Sequence, residues 1–411
     1  MTRFPISVLF FSRVPVWGGA EEHMLTLLRG LDRRLFRLHL ACPTELADKI
    51  RPQLPPDVNL FPLTLSKAYI TADAFRLAKI LRDTRIKILH SHMSYSSRFA
   101  SVIGRLCRVP VIIETPHVRE LWRTSLLKSS YLVDRIMGRF VDYYVAVSEA
   151  NARYLAKTKG LPLRKIRVIV NGTDLRRFSP GRPVPAGFRE KLGFAPGDPI
   201  LMVLGRLEAQ KGHRVLIEAM PAVLRQFPKT RLVCLGEGRL REELEKQTEA
   251  LGLCDSIRFV GHQSNVEDWL ALADFTVLPS FFEGLPLVAI ESLAVGRPVV
   301  ATAVDGTPEV VVDGKTGLIV PPGDPALLAH AICNLLHDSG RREGMARAGR
   351  QWVIERFDQN QQIERTQELY LQASEQYHGG RVGVNVAIKP SVVQSEATIP
   401  RMVSGQRNHD D

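Results

Sequence analysis

Short runs of apolar residues alternate along this chain with longer stretches in which apolar positions recur every three or four residues. That alternation predicts a parallel sheet covered by helices. In the first half the runs fall at 6–11, 38–41, 88–90, 111–114, 143–147 and 166–170, each the length of one buried strand. In the second half they fall at 200–204, 231–235, 257–260, 275–278, 298–301 and 317–320. A helix is expected after Gly18-Gly19, with Met24, Leu27, Leu28 and Leu31 along one face. Further amphipathic helices are expected over 215–226, 240–251, 266–273 and 325–336. Each half therefore reads as a doubly wound α/β unit.

Residues 179–199 are rich in Pro and Gly and carry little periodicity, which marks a linker between a first unit, 1–178, and a second, 200–354. One long polar helix is expected over 341–377, with Trp352, Phe357, Ile363 and Tyr370 as apolar anchors. From His378 the composition turns to Gly, Val, Ser and Gln, and 378–411 is expected to be a disordered tail.

With 411 residues, 45% apolar and 24% charged, the composition is that of an ordinary globular protein. No apolar run approaches the roughly 20 residues needed to span a bilayer. The run at 6–11 follows Arg3 but is short, interrupted by Arg13 and without a small-residue cleavage site, so a first strand fits it better than a signal peptide. The five cysteines are scattered with no Cys-x-x-Cys pair, which points to reduced thiols and a cytoplasmic protein. The net charge of +12 is uneven. Residues 1–174 hold 28 Lys/Arg against 14 Asp/Glu, and the rest hold 27 against 29. A basic first half suits an anionic partner such as the inner face of a membrane, although a generally basic proteome explains it equally well.

Candidate chemistry collects where strands end. The run Phe282-Glu283-Gly284-Leu285-Pro286-Leu287 leads from a strand into a helix that contains Glu291. Pro286 suits the first helical position. The N–H groups of Gly284, Leu285 and Leu287 can receive a phosphate or a sugar hydroxyl, and the two carboxylates can accept from hydroxyls. Gly205-Arg206 with Lys211-Gly212 follows another strand. Arg grips two phosphate oxygens through its planar fork and Lys adds a point charge, a pair suited to a diphosphate leaving group. In the first half, Gly18-Gly19-Ala20-Glu21 follows the first strand and permits close approach of backbone to a ligand, though taken singly it reads as a plain turn. Glu114-Thr115-Pro116-His117 places a His at a strand end, and His90 and His92 sit at another, with packing and ligand contact both open. There is no Gly-x-Gly-x-x-Gly, which disfavours a nicotinamide cofactor.

Together with Val170-Asn171-Gly172-Thr173-Asp174, Phe178, Pro180 and Thr307-Pro308-Glu309, these segments make the chain resemble a family 4 glycosyltransferase of the GT-B fold over residues 6–375. The resemblance implies two Rossmann-like domains facing a central cleft, with a terminal helix over 355–377 crossing back onto the first. It implies transfer of a sugar from a nucleotide-diphosphate donor with retention of configuration. Arg206 and Lys211 would hold the diphosphate, Glu291 the ribose, and Glu283 the donor sugar. Gly284, Leu285 and Leu287 would offer amides to sugar or phosphate, with Pro286, which has no N–H, shaping the segment between them. Gly18 and Gly19 would approach the phosphate from the opposite domain, and His117 would position the sugar. The run at 170–174 has Val and Thr where members often carry Pro and Val, a departure in a structural segment. No metal site and no cofactor are implied beyond the donor, a UDP-sugar first and a GDP-sugar second. The acceptor would be a glycan or a lipid-linked molecule of the cell envelope. A sugar-nucleotide epimerase of the same architecture, or a non-catalytic nucleotide- or nucleic-acid-binding protein, would share parts of this pattern. The dispersed basic residues lack the stacking aromatics of nucleic-acid readers.

Overall fold

The computed structural model describes residues 5–15, 17–65, 69–119 and 131–378. The tail expected after residue 378 lies outside them. The first half forms strands β1 (Ile6–Phe11), β2 (Phe36–Pro43), β3 (Asn59–Leu63), β4 (Ile88–His92), β5 (Val111–Thr115), β6 (Tyr143–Ala146) and β7 (Ile166–Val168). They pair in parallel in the order β3-β2-β1-β4-β5-β6-β7. The second half forms β8 (Ile200–Leu204), β9 (Arg231–Leu235), β10 (Ile257–Gly261), β11 (Phe275–Leu278), β12 (Val299–Thr302) and β13 (Gly317–Val320). Their order is β10-β9-β8-β11-β12-β13, again parallel. Each sheet starts in its middle, winds to one edge and then crosses to the other side. The reversals fall at β1/β4 and β8/β11, the places where such sheets open a ligand crevice at their carboxyl ends.

Apolar runs become strands here because both sheet faces are covered. Val8 and Phe10 point to a core shared with Met24, Leu27 and Leu28 of the Gly19–Gly30 helix. Leu9 and Phe11, one residue out of phase, enter the opposite core with Leu77, Leu81 and Ala100. In the second sheet Leu201 and Val203 pack with Leu216 and Met220, while Ile200 and Met202 pack with Leu270, Ile290 and Leu293. β3 was not among the expected strands. It carries Pro62 and buries only Leu63 fully, both traits of an edge strand. Within 179–199 the chain forms a helix at Phe188–Leu192, and Leu192 and Phe194 are buried in the core that holds Ile200 and Trp269.

The single helix expected over 341–377 is instead two, Ser339–Arg356 and Gln359–His378. The break comes where residues 357–359 pair with the 171–174 run. Thr173 donates to the Phe357 carbonyl at 2.8 Å, and Gln359 donates to the Thr173 carbonyl at 3.1 Å. Gly172 allows the approach, since a Cβ there would stand 2.5 Å from the Gln359 nitrogen. Asp358 then caps the new helix, accepting from the Asn360 amide at 2.9 Å. That helix packs on the first sheet, burying Ile363, Leu369 and Tyr370 beside β1 and β2.

Candidate active site

Both topological reversals face the same cleft, about 270 Å³ in volume, lined by the loops after β1, β5, β8 and β11. The first half contributes Gly18, Gly19 and His117, and the second contributes Arg206, Lys211 and the stretch 283–288. Ten of the eleven residues singled out from the sequence therefore meet in one place. Sequence distances of more than 150 residues are closed by the fold alone.

On the second half, Lys211 Nζ lies 2.6 Å from Glu283 Oε1, and Ser280 Oγ donates to the same oxygen at 2.7 Å. Gln210 steadies the loop by donating to the Phe282 carbonyl at 2.9 Å. Glu283 is 5% exposed, so the cation holds a buried carboxylate at the cleft floor. Arg206 is exposed and forms no ion pair among the described residues. Pro286 precedes the Leu287–Ala294 helix and does not occupy its first position as the sequence suggested. Its carbonyl accepts from Ala289 and Ile290, which makes it the cap. The shift leaves the early helix amides facing the cleft mouth without intrahelical acceptors.

On the first half the site is built of neutral rings. His117 Nε2 and His92 Nδ1 are 3.1 Å apart. His23 Nδ1 lies 2.7 Å from Asn171 Oδ1 and 3.0 Å from Gln362 Nε2, donating to the first or accepting from the second, and so sits against the crossing helix. Burial holds His23 down to about 4 and His90 to about 3, and holds His92 and His117 well below the ordinary imidazole range. His90 serves packing, bonded to Tyr370 Oη at 2.5 Å and Thr115 Oγ1 at 2.7 Å. The coordinating atoms of His23, His92 and His117 lie within 4.8 Å of one another. The contact between His92 and His117 uses one nitrogen of each ring as a hydrogen-bond partner. Glu21, quoted from the sequence but given no role there, also lines the cleft. Burial pushes its carboxyl up to about 7, opposed by the amides of Glu21 itself and Gly18 and by the charge of Arg206.

The halves touch at the cleft floor. A Cβ on Gly284 would stand 1.7 Å from the His117 carbonyl oxygen, so only glycine fits. Ser148 Oγ donates to the Gly284 carbonyl at 3.0 Å. Glu309 accepts from the Glu149 and Ala150 amides at 2.9 and 2.7 Å, capping a first-half helix from the second half. Sequence reasoning quoted Glu309 without this role and did not reach Asn171, Gln210 or Asp305 as site residues. Nothing in their local patterns could have found them, because each acts on a partner distant along the chain.

The chain is similar to known proteins. The model described as Glycosyltransferase Family 4 matches residues 17–177, and the one described as Glycosyl transferases group 1 matches 186–352. A glycogen synthase of Mycobacterium tuberculosis is 32% identical over 330 residues, covering 77% of this chain and 76% of the relative. The chain belongs to glycosyltransferase family 4. This glycosyltransferase is also 31% identical to the D-inositol 3-phosphate glycosyltransferase of Nocardia farcinica, over 78% of this chain and 74% of that one. Its fold is GT-B. Anabaena Alr3699/HepE, solved in complex with UDP and glucose, shares the fold with a TM-score of 0.77 at 20% identity, covering 89% of this chain and 100% of that one.

Glu291 is the one expected site residue of this family 4 enzyme that does not line the cleft volume. It lies on the Leu287–Ala294 helix, partly buried. Burial raises its carboxyl to about 7, with Glu22 adding to the rise and Arg177 opposing it. Glu22 and Arg177 come from the first half, and Glu267 of the second half adds to the rise. Among the described residues no helix is long and apolar enough to cross a membrane.

Proposed function

We propose that this glycosyltransferase moves a hexosyl group from a nucleotide-diphosphate sugar to an acceptor hydroxyl with retention of anomeric configuration. The observation that carries the reading is the Lys211–Glu283 pair at 2.6 Å, set with Arg206 opposite the Gly18-Gly19 loop. A diphosphate in the cleft would meet Arg206, Lys211 and the early amides of the Leu287–Ala294 helix, all favourable to an anion. Glu283 would accept from sugar hydroxyls, and Glu291 from the ribose. Neutral His117 would donate to the sugar without adding a charge. The bond from the anomeric carbon to the diphosphate oxygen breaks as the acceptor oxygen bonds to the same face. The acceptor proton passes to the departing phosphate, whose new charge Arg206 and Lys211 stabilise. The close seating of the halves at Gly284 excludes water from the donor.

A UDP-sugar is the favoured donor, in line with the UDP held by Alr3699/HepE. A GDP-sugar is second, as in the name of the GDP-mannose-dependent mannosyltransferase of Mycolicibacterium smegmatis, 32% identical over 63% of this chain and 69% of that one. The acceptor class we favour is a cell-envelope glycan, lipopolysaccharide or other glycolipid, with the basic first half contacting an anionic inner-leaflet surface. Thermal unfolding with UDP, GDP and their sugars tests the donor, since a ligand at 100 times its Kd adds about 2.7 kcal/mol. A selective shift with one nucleotide is expected, and no shift with any of them would overturn the reading. NMR of the product's anomeric proton tests retention, and flotation with anionic liposomes at low and high salt tests membrane contact.

A further inference from the structure

Asp305 stands between β12 and the short Thr307–Val310 helix, and its backbone has a φ of +43°. This is the left-handed region, which Asp tolerates better than most residues but still at a cost. Its side chain is 6% exposed and both oxygens are used. Oδ1 accepts from Arg119 Nη1 at 2.6 Å, and Oδ2 accepts from the Glu283 amide at 2.9 Å. Arg119 belongs to the first half and follows His117 by two residues. Asp305 is thus one carboxylate shared between the loop that carries His117 and the backbone of Glu283. The next residue, Gly306, leaves no room for a side chain, because a Cβ would lie 2.2 Å from the Gly284 carbonyl oxygen. The strained backbone, the charged bond across the cleft and the amide bond to Glu283 all converge on one side chain.

We infer that Asp305 is a positioning residue that registers the seating of the first half through Arg119 and transmits it to the Glu283 loop. When Arg119 docks, the carboxylate is fixed and the Glu283 amide has a set acceptor. When Arg119 leaves, the buried charge loses its cation and the Glu283 loop loosens. Glu309 acts beside it, holding the Glu149–Arg153 helix without touching the Glu283 loop. Seating and catalytic geometry are thereby linked through a side chain that touches neither donor nor acceptor. The link to catalysis rests on the transferase reading above, whereas the mechanical link does not.

Hydrogen–deuterium exchange of the full chain tests the mechanical link without any substrate. Arg119→Ala, changed only in the first half, should speed exchange of the amides at 283–285 at least fivefold and leave 200–204 unchanged. Exchange at 283–285 equal to the parent would overturn the inference. Asp305→Ala should do the same, and Asp305→Asn, which keeps an acceptor for the amide, should recover most of the protection. Steady-state turnover then tests the consequence. Asp305→Ala should lower kcat at least tenfold with the Kd for UDP within twofold of the parent, because the diphosphate groups sit on other residues. Equal losses in kcat and UDP affinity, or a loss explained by a lowered Tm alone, would overturn the positioning role. A parent enzyme that turns over no nucleotide sugar would count against the transferase reading and leave the exchange result to stand or fall by itself.

Discussion

The two halves share a strand order but divide the labour of the cleft. The second half presents charge: Arg206, Lys211 and Glu283, with the ion pair at 2.6 Å held by short loops after β8 and β11. The first half presents mainly neutral surface: a glycine pair, His117 and the buried rings of His23 and His92 behind it, with Glu21 as its carboxyl in the cleft lining. The net charges run the other way, since the excess of Lys and Arg lies in the first half. Bulk charge and site charge are therefore independent properties. The first belongs to the solvated surface and the second to a few side chains placed by strand ends.

The comparison breaks most visibly if the charged half is disarmed. Lys211→Ala should reduce kcat/KM by about 10²–10³, the scale of removing one preorganised transition-state donor, as read by turnover of the preferred nucleotide sugar. The same change should leave the first half's Tm contribution intact. Next in size is the contact between halves. Gly284→Ala must displace the His117 carbonyl, 1.7 Å from the new Cβ, and should lower kcat about 100-fold through lost orientation. Small-angle scattering should report a larger radius of gyration, and an unchanged radius with unchanged kcat would refute the close seating.

Titration sharpens the contrast. His23 and His90 titrate near 4 and 3 in the fold, below their ordinary value near 6.5. Their contribution to stability is complete above pH 6.5 and is lost as pH falls through those values. Glu21 and Glu291 are raised from 4.5 to about 7, so their contribution is complete below pH 4.5 and is lost as pH rises through 7. Glu21→Gln should therefore be more stable than the parent above pH 7 and equal to it below pH 4.5, measured by urea unfolding at each pH. The smallest effect is expected from Asp358→Ala, about 1 kcal/mol from the lost helix cap, seen as a reduced urea midpoint.

Much of this was legible in sequence where the signal is local. The second sheet's strands were all expected within a residue or two, because its central strands are buried apolar runs and the half-buried edge strand β10 still carries Ile257, Phe259 and Val260. Lys211 and Glu283 were legible because loops at strand ends display their chemistry in adjacent letters. β3 was not, since Pro62 interrupts its short apolar stretch Leu60, Phe61 and Leu63 and argues against a strand. The break before Gln359 was hidden from periodicity because helical propensity continues through 341–377, and only the family resemblance, which implied a separate helix from 355, pointed to it. Asp305 and Asn171 gain their meaning from partners more than 140 residues away in the chain.

The crossing helix has a consequence for how the protein is made. Tyr370, Leu369 and Ile363 complete the core that covers β1 and β2, yet the first sheet ends at Val168. A ribosome adding about 5–20 residues per second reaches those side chains roughly 10–40 s after β7 has emerged. During that interval the face of the first sheet under the Gly19–Gly30 helix lacks the part of its core that Ile363, Leu369 and Tyr370 supply. The Gln359–His378 helix is then the closing stitch of a domain whose sheet was translated long before it, and nascent-chain handling of this enzyme must cover that gap.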